Sequence, residues 1–177
     1  MDDDDILAAL DEAYTPKAAQ GELSARAREY LSVLNPEQYE AVVHEGGALL
    51  ILAGAGSGKT QVLATRFAWL VMSQNVPASK ILTLTFTKKA AGEMYERIHR
   101  TLKFFAEKLS GTSEYKAEQE RAKKALEDLY EIIPVSSGKI ALEFLQEMPE
   151  PPDVVLLDVD MPDVNGFFVI SQMKNGE

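Results

Sequence analysis

The chain has 177 residues, a formal net charge of −10 and 46% hydrophobic residues, enough for one α/β domain with a real core or for two small ones. It contains no cysteine, which excludes disulfides, thiol catalysis and cysteine-ligated zinc. The only imidazoles, His44 and His99, have no second metal-ligand type at useful spacing and read as surface or structural. No apolar run approaches the ~20 residues that span a bilayer, and the opening Asp2 to Asp5 is unlike a basic, apolar signal sequence, so no membrane partner and a cytoplasmic location are expected.

Charge is uneven, with a net −5 over residues 1–30, +3 over 31–110 and −8 over 111–177. Net acidity discourages non-specific nucleic-acid binding, while the basic centre can still hold phosphates. Residues 1–30 form an acidic, weakly amphipathic arm, broken at Pro16 and Gly21. In Leu34-Asn35-Pro36-Glu37-Gln38, Asn35 is an N-cap and Pro36 a first helical residue, opening a helix to about Val43 that Gly46-Gly47 ends. An apolar strand over 48–53 follows. It feeds Ala53-Gly54-Ala55-Gly56-Ser57-Gly58-Lys59-Thr60 and then a helix from about Lys59 to Ser73 with Val62, Leu63, Phe67, Leu70 and Val71 on its buried face. Trp69 reads as packing.

That glycine turn is a phosphate cradle. Glycines let several N–H groups face one anion and the next helix adds its N-terminal dipole. Lys59 reaches the β/γ-phosphates, and the Thr60 hydroxyl is placed for Mg²⁺. Expected nucleotide contacts are Gly54, Ala55, Gly56, Ser57, Gly58, Lys59, Thr60 and Gln61, with ATP or ADP and Mg²⁺ as cofactors. A second strand, 80–85, alternates and opens into Phe86-Thr87-Lys88-Lys89-Ala90-Ala91 and a helix to about Arg100 or beyond.

Leu34 to Gln38, the AGAGSGKT turn and Leu82 to Met94, in that order and spacing, resemble the opening of a UvrD-like superfamily 1 DNA helicase. The resemblance implies that Gln38 reads the adenine edge and that Thr85, Phe86, Thr87 and Lys88 belong to the element touching single-stranded DNA, a job suited to an aromatic and a lysine. Gln61 stands where the family commonly has an arginine that contacts nucleotide, which implies weaker affinity. The later helicase motifs, the Walker B acids, the arginine finger and the second motor domain, are not found, so a complete helicase is not expected and hydrolysis should be weak or absent.

Residues 104–124 read as a polar helical connector, broken near Ser110 to Ser113. Beyond it come a strand over 130–135, a turn at 136–138, a helix over 139–148 and a buried strand over 153–159. Pro152-Asp153-Val154-Val155-Leu156-Leu157-Asp158, then Met161-Pro162 and Asn165-Gly166, resemble a CheY-like response-regulator receiver domain from its first helix to its third. Asp158 falls at the phospho-accepting position, but the family's acidic pair and its later Ser/Thr and Lys are missing, so phosphotransfer is not expected.

The expected architecture is an α/β three-layer sandwich with a mainly parallel sheet, a P-loop and flavodoxin-like hybrid. Its segments are an arm (1–30), a helicase-like segment (31–103), the connector (104–124) and a receiver-like segment (125–177) packed into the same sheet. The expected strand order is 130–135, 48–53, 153–159, 80–85, all parallel, with 48–53 replacing the receiver's first strand. Beside the phosphate turn, Asp158 or Asp160 would then substitute for the Walker B acid at Mg²⁺. Two truncated halves imply a fused or designed origin. The function expected is nucleotide binding, with an inactive structural protein or a truncated ATP-dependent helicase domain binding single-stranded DNA as alternatives.

Overall fold

A computed structural model describes residues 30–45, 49, 51, 56–108, 116–128, 130 and 132–157. Helix α1 spans Pro36–Val43 and α2 spans Lys59–Met72. After a single 3₁₀ turn at Ala78–Lys80 come β1 (Ile81–Thr85), α3 (Lys88–Lys108), α4 (Lys116–Glu127), β2 (Ile132–Pro134), α5 (Gly138–Glu147) and β3 (Val154–Leu157).

Asn35 caps α1 as its sequence requires. Its side chain accepts from Gln38 N at 2.8 Å, and its own N–H donates to Gln38 Oε1 at 3.1 Å, a reciprocal capping box with Pro36 behind it. Helix α2 is buried over most of its circumference because two apolar bodies flank it. Phe67, Leu70, Val71 and Met72 enter the main core with Ile98, Leu102 and Phe105 of α3 and Ala122 and Ala125 of α4. Val62 and Trp69 turn the other way, against Leu31, Ala41 and Val42. Trp69 is packing, as expected, at 5% exposure. The span 104–124, read as a connector, thus enters the core through Phe105, Ala106 and Ala122. Tyr30 is tied there too, its hydroxyl 2.9 Å from Thr101 Oγ1 and its ring edge-on to Phe105.

Among the described residues the sheet is parallel and three-stranded, in the order β2-β1-β3. Thr83, Leu84 and Thr85 pair with Ile132, Ile133 and Pro134, while Ile81 to Leu84 pair with Val154 to Leu157. The parallel sense and the neighbourhood of 80–85 and 153–159 agree with the sequence reading; the strand order does not. That reading put 48–53 between 130–135 and 153–159 and left 80–85 at the edge, whereas β1 holds the central place and bonds both neighbours. The physical reason lies in its threonines. Leu-Thr alternation suggests a strand with one polar face, but Thr83 and Thr85 are 0% and 1% exposed, their branched carbons filling the interior of a strand covered on both sides. Of 48–53, only Leu49 and Ile51 are described, half-buried against the α1 cluster.

Successive strand residues point to opposite faces. Ile81 and Leu156 face α2, α3 and α4, while Leu82, Leu84, Val155 and Leu157 face α5 through Ala141, Phe144 and Leu145. The chain crosses from β1 to β2 on one face, reverses, and crosses to β3 on the other. Right-handed crossovers require this when direction reverses, and the result is helices on both faces of a sheet whose central strand is buried throughout.

Candidate nucleotide site

The glycine turn enters α2 through two left-handed residues, Gly56 at φ 78° and Gly58 at φ 87°, a region glycine occupies without steric cost. Gly58 is also constrained by space, since a Cβ there would lie 3.0 Å from Gln38 Nε2. The helix begins at once, with Val62 N donating to Gly58 O at 3.0 Å. Gly58 offers no side-chain cap to the first-turn amides, and the first turn carries no acid. A helix start with no side-chain cap, a helix dipole and Lys59 therefore share one end of α2, an arrangement whose electrostatics suit an anion.

Gln38 reaches the turn from α1. Its Nε2 donates to Ser57 O at 3.1 Å while its Oε1 serves the capping box, so one side chain bridges the start of α1 and the phosphate turn. Lys59, Thr60 and Gln61 are half-buried on the first turn of α2. The structure thus brings Gln38, Gly56, Ser57, Gly58, Lys59, Thr60 and Gln61 into one neighbourhood. Gly54, Ala55, Asp158 and Asp160 lie outside the described residues. Among the described residues no group of three acids and imidazoles could hold a metal, and no helix is long and apolar enough to cross a membrane.

The element expected to meet single-stranded DNA is divided by depth. Thr85 is buried and its hydroxyl donates to Thr87 O at 3.3 Å; Phe86 is half-buried against the α5 side of the sheet. Thr87 and Lys88 are exposed, and Thr87 Oγ1 accepts from Ala90 N at 3.0 Å to cap α3. The outward surface of this element is Thr87 and Lys88.

Two arginines escaped sequence reasoning. Arg97 of α3 donates to Gln61 Oε1 at 3.0 Å, and Gln61 Nε2 reaches the buried Thr65 hydroxyl at 3.2 Å. A guanidinium therefore stands beside position 61, where the expected arginine is missing. Arg66 Nη1 donates to Ala41 O at 3.0 Å and Val42 O at 2.9 Å, and burial lowers its pKa. Burial, with Arg66 close by, also lowers the His44 imidazole below its ordinary value. Arg66 had a signal: four residues after Val62 and three before Trp69, it lies on the stripe facing α1, where a charge needs partners.

The UvrD/REP helicase N-terminal domain matches residues 34–134, more than half of the chain. The chain belongs to that family. The match runs through β2, into the part read as receiver-like. Among relatives, the ATP-dependent DNA helicase UvrD1 of Mycobacterium leprae is 61% identical over 70 residues, 40% of this chain and 9% of that protein. PcrA of Bacillus subtilis, an ATP-dependent DNA helicase, is 54% identical over 72 residues, 41% of this chain and 10% of that protein. DNA helicase II of Haemophilus influenzae is 51% identical over 74 residues, 42% of this chain and 10% of that protein. The matched stretch thus spans about a tenth of these relatives' length.

Proposed function

We propose that this chain binds an adenine nucleotide with Mg²⁺ at residues 54–60, as a partial helicase N-terminal domain. In this reading Gln38 meets the adenine edge, Lys59 the β/γ-phosphates and Thr60 the Mg²⁺. The first-turn amides of α2 hold phosphate oxygens, and Arg97 supplies a cation near position 61. The observation that carries the reading is the bond from Gln38 to Ser57 O across a turn whose glycines are left-handed and whose helix has no side-chain cap. Thermal denaturation with Mg-ATP or Mg-ADP tests it. Ligand at about 100 times its Kd adds ~2.7 kcal/mol of stability, a Tm rise of several degrees that Lys59→Ala should abolish. An equal rise in Lys59→Ala, or none in either protein, contradicts it.

A second reading, single-stranded DNA binding, rests on the exposed Thr87 and Lys88 at the start of α3. Lys88→Ala should then weaken oligonucleotide binding and reduce its log-log salt slope by about 0.7, one phosphate contact's worth. Binding that ignores both salt and Lys88 would exclude this reading.

A further inference from the structure

Phosphate binding does not explain the half-buried guanidinium of Arg66. It sits nearly two turns past Lys59 on α2, and its contacts go neither to the glycine turn nor to an acid. They go to the carbonyls of Ala41 and Val42, at 3.0 and 2.9 Å, in the last turn of α1. Those carbonyls have no intrahelical partners of their own, and a cation at the negative end of a helix is favourably placed. That last turn has no basic residue, so Arg66 supplies from α2 the charge that α1 lacks.

Helix α1 has eight residues, about 12 Å of axis, and it is held to α2 at both ends. At its start, Gln38 Nε2 bonds Ser57 O; at its finish, two carbonyls bond Arg66. Between them Ala41 and Val42 pack on Val62 and Trp69. Apolar packing fixes separation but is non-directional. A guanidinium that spans two successive carbonyls fixes rotation about the axis as well. Gln38 lies one turn before Val42, so that rotation sets where its amide points.

We propose that Arg66 is a positioning residue for base recognition: by locking the rotation of α1 it orients the Gln38 amide, and so sets the preference for adenine over guanine without touching either base. The inference rests on the nucleotide reading above. A bidentate amide-to-adenine contact depends on angle, because Gln38 must offer one acceptor and one donor on the same edge of the ring. Phosphate contacts come from the α2 backbone and Lys59, which stay on the helix carrying Arg66 and keep their geometry when α1 turns.

The test is equilibrium binding of Mg-ATP, Mg-GTP and inorganic tripolyphosphate to the full chain, to Gln38→Ala, to Arg66→Met and to Arg66→Lys. The inference predicts that Arg66→Met, like Gln38→Ala, reduces the ATP-to-GTP affinity ratio by roughly tenfold and leaves tripolyphosphate affinity within about twofold. Lys keeps a donor and a charge without the fixed in-plane N–H directions of the guanidinium, so Arg66→Lys should recover part of the ratio; if Arg66→Met does not fold, a reduced ratio in Arg66→Lys carries the test. An unchanged ratio in both variants, or equal weakening of all three ligands, overturns the positioning role and leaves the nucleotide reading standing. Failure of the unaltered chain to bind ATP or tripolyphosphate overturns that reading, and the role of Arg66 with it.

Discussion

Four helix N-termini among the described residues are finished in two different ways. Helices α1, α3 and α5 each close on themselves, through Asn35 and Gln38, through Thr87 to Ala90 N at 3.0 Å, and through Ser137 to Ile140 N at 3.2 Å. Helix α2 begins on Gly58, with no side-chain cap and no acid in its first turn. Glycine in place of a capping side chain costs only a few tenths of a kcal/mol, but it leaves the first-turn amides of α2 without the side-chain oxygen that the other three helices supply. Under the proposed nucleotide reading an anion would meet those amides, which would make the uncapped helix the functional one and the capped helices scaffold. Arg66 and Gln38 belong to the same division, since they tie a self-capped helix to the open one.

Substitutions at the open end should cost most. Gly58→Ala forces a left-handed φ of 87° on a residue with a Cβ and drives that Cβ to 3.0 Å from Gln38 Nε2. About 1–2 kcal/mol of strain follows from the conformation alone, roughly 2–8 °C in Tm. The nucleotide-induced shift should disappear as well, and calorimetry with and without Mg-ADP reads both effects. At a closed end, Ser137→Ala should lower stability by about 1 kcal/mol and leave the nucleotide-induced shift unchanged. If Ser137→Ala removed that shift, or Gly58→Ala kept it, the contrast between the two kinds of terminus would fail.

A smaller effect comes from His44, at the C-terminal end of α1. Its folded pKa is lowered from 6.5, first by burial and then by Arg66. As pH falls through 6.5 the unfolded chain takes up the proton before the folded one, so stability present at neutral pH is lost on acidification. Tm measured downward from pH 7 should therefore fall less steeply in His44→Gln than in the unaltered chain. Identical slopes would remove His44 from the account. Smallest of all is Tyr130, whose hydroxyl is buried with no partner among the described residues and whose pKa burial raises. Tyr130→Phe should match or slightly exceed the parent Tm, because it removes an unsatisfied polar atom and keeps the ring stacked on Tyr95 at 5.4 Å. A drop of several degrees would mean that the hydroxyl has a partner.

Local chemistry was legible in the sequence. Asn35-Pro36 with Gln38 announces the start of α1, because every group in a capping box lies within four residues. The glycine turn with Lys59-Thr60 announces the start of α2 for the same reason. Placement of β1 was not legible, since a strand's neighbours are chosen by contacts far along the chain: Thr83 pairs with Ile132 and Leu156. Phe86 is similar. In the sequence it is an aromatic beside a lysine, as a stacking surface would be, yet α5, contributed some fifty residues later, leaves it half-buried. Arg66 was overlooked because charged residues on helices are mostly solvated, and only the position of α1 turns its register into a contact.

The central claim is that the uncapped first turn of α2 receives an anion. Amide chemical shifts of the full chain, followed as Mg-ADP is added, test this most directly. The account predicts the largest changes at Gly56 to Gln61, with a smaller change at the Gln38 side-chain amide as it exchanges Ser57 O for the base. Saturating Mg-ADP that leaves those amides where they were, or that moves resonances only in β2, α5 and β3, would contradict it.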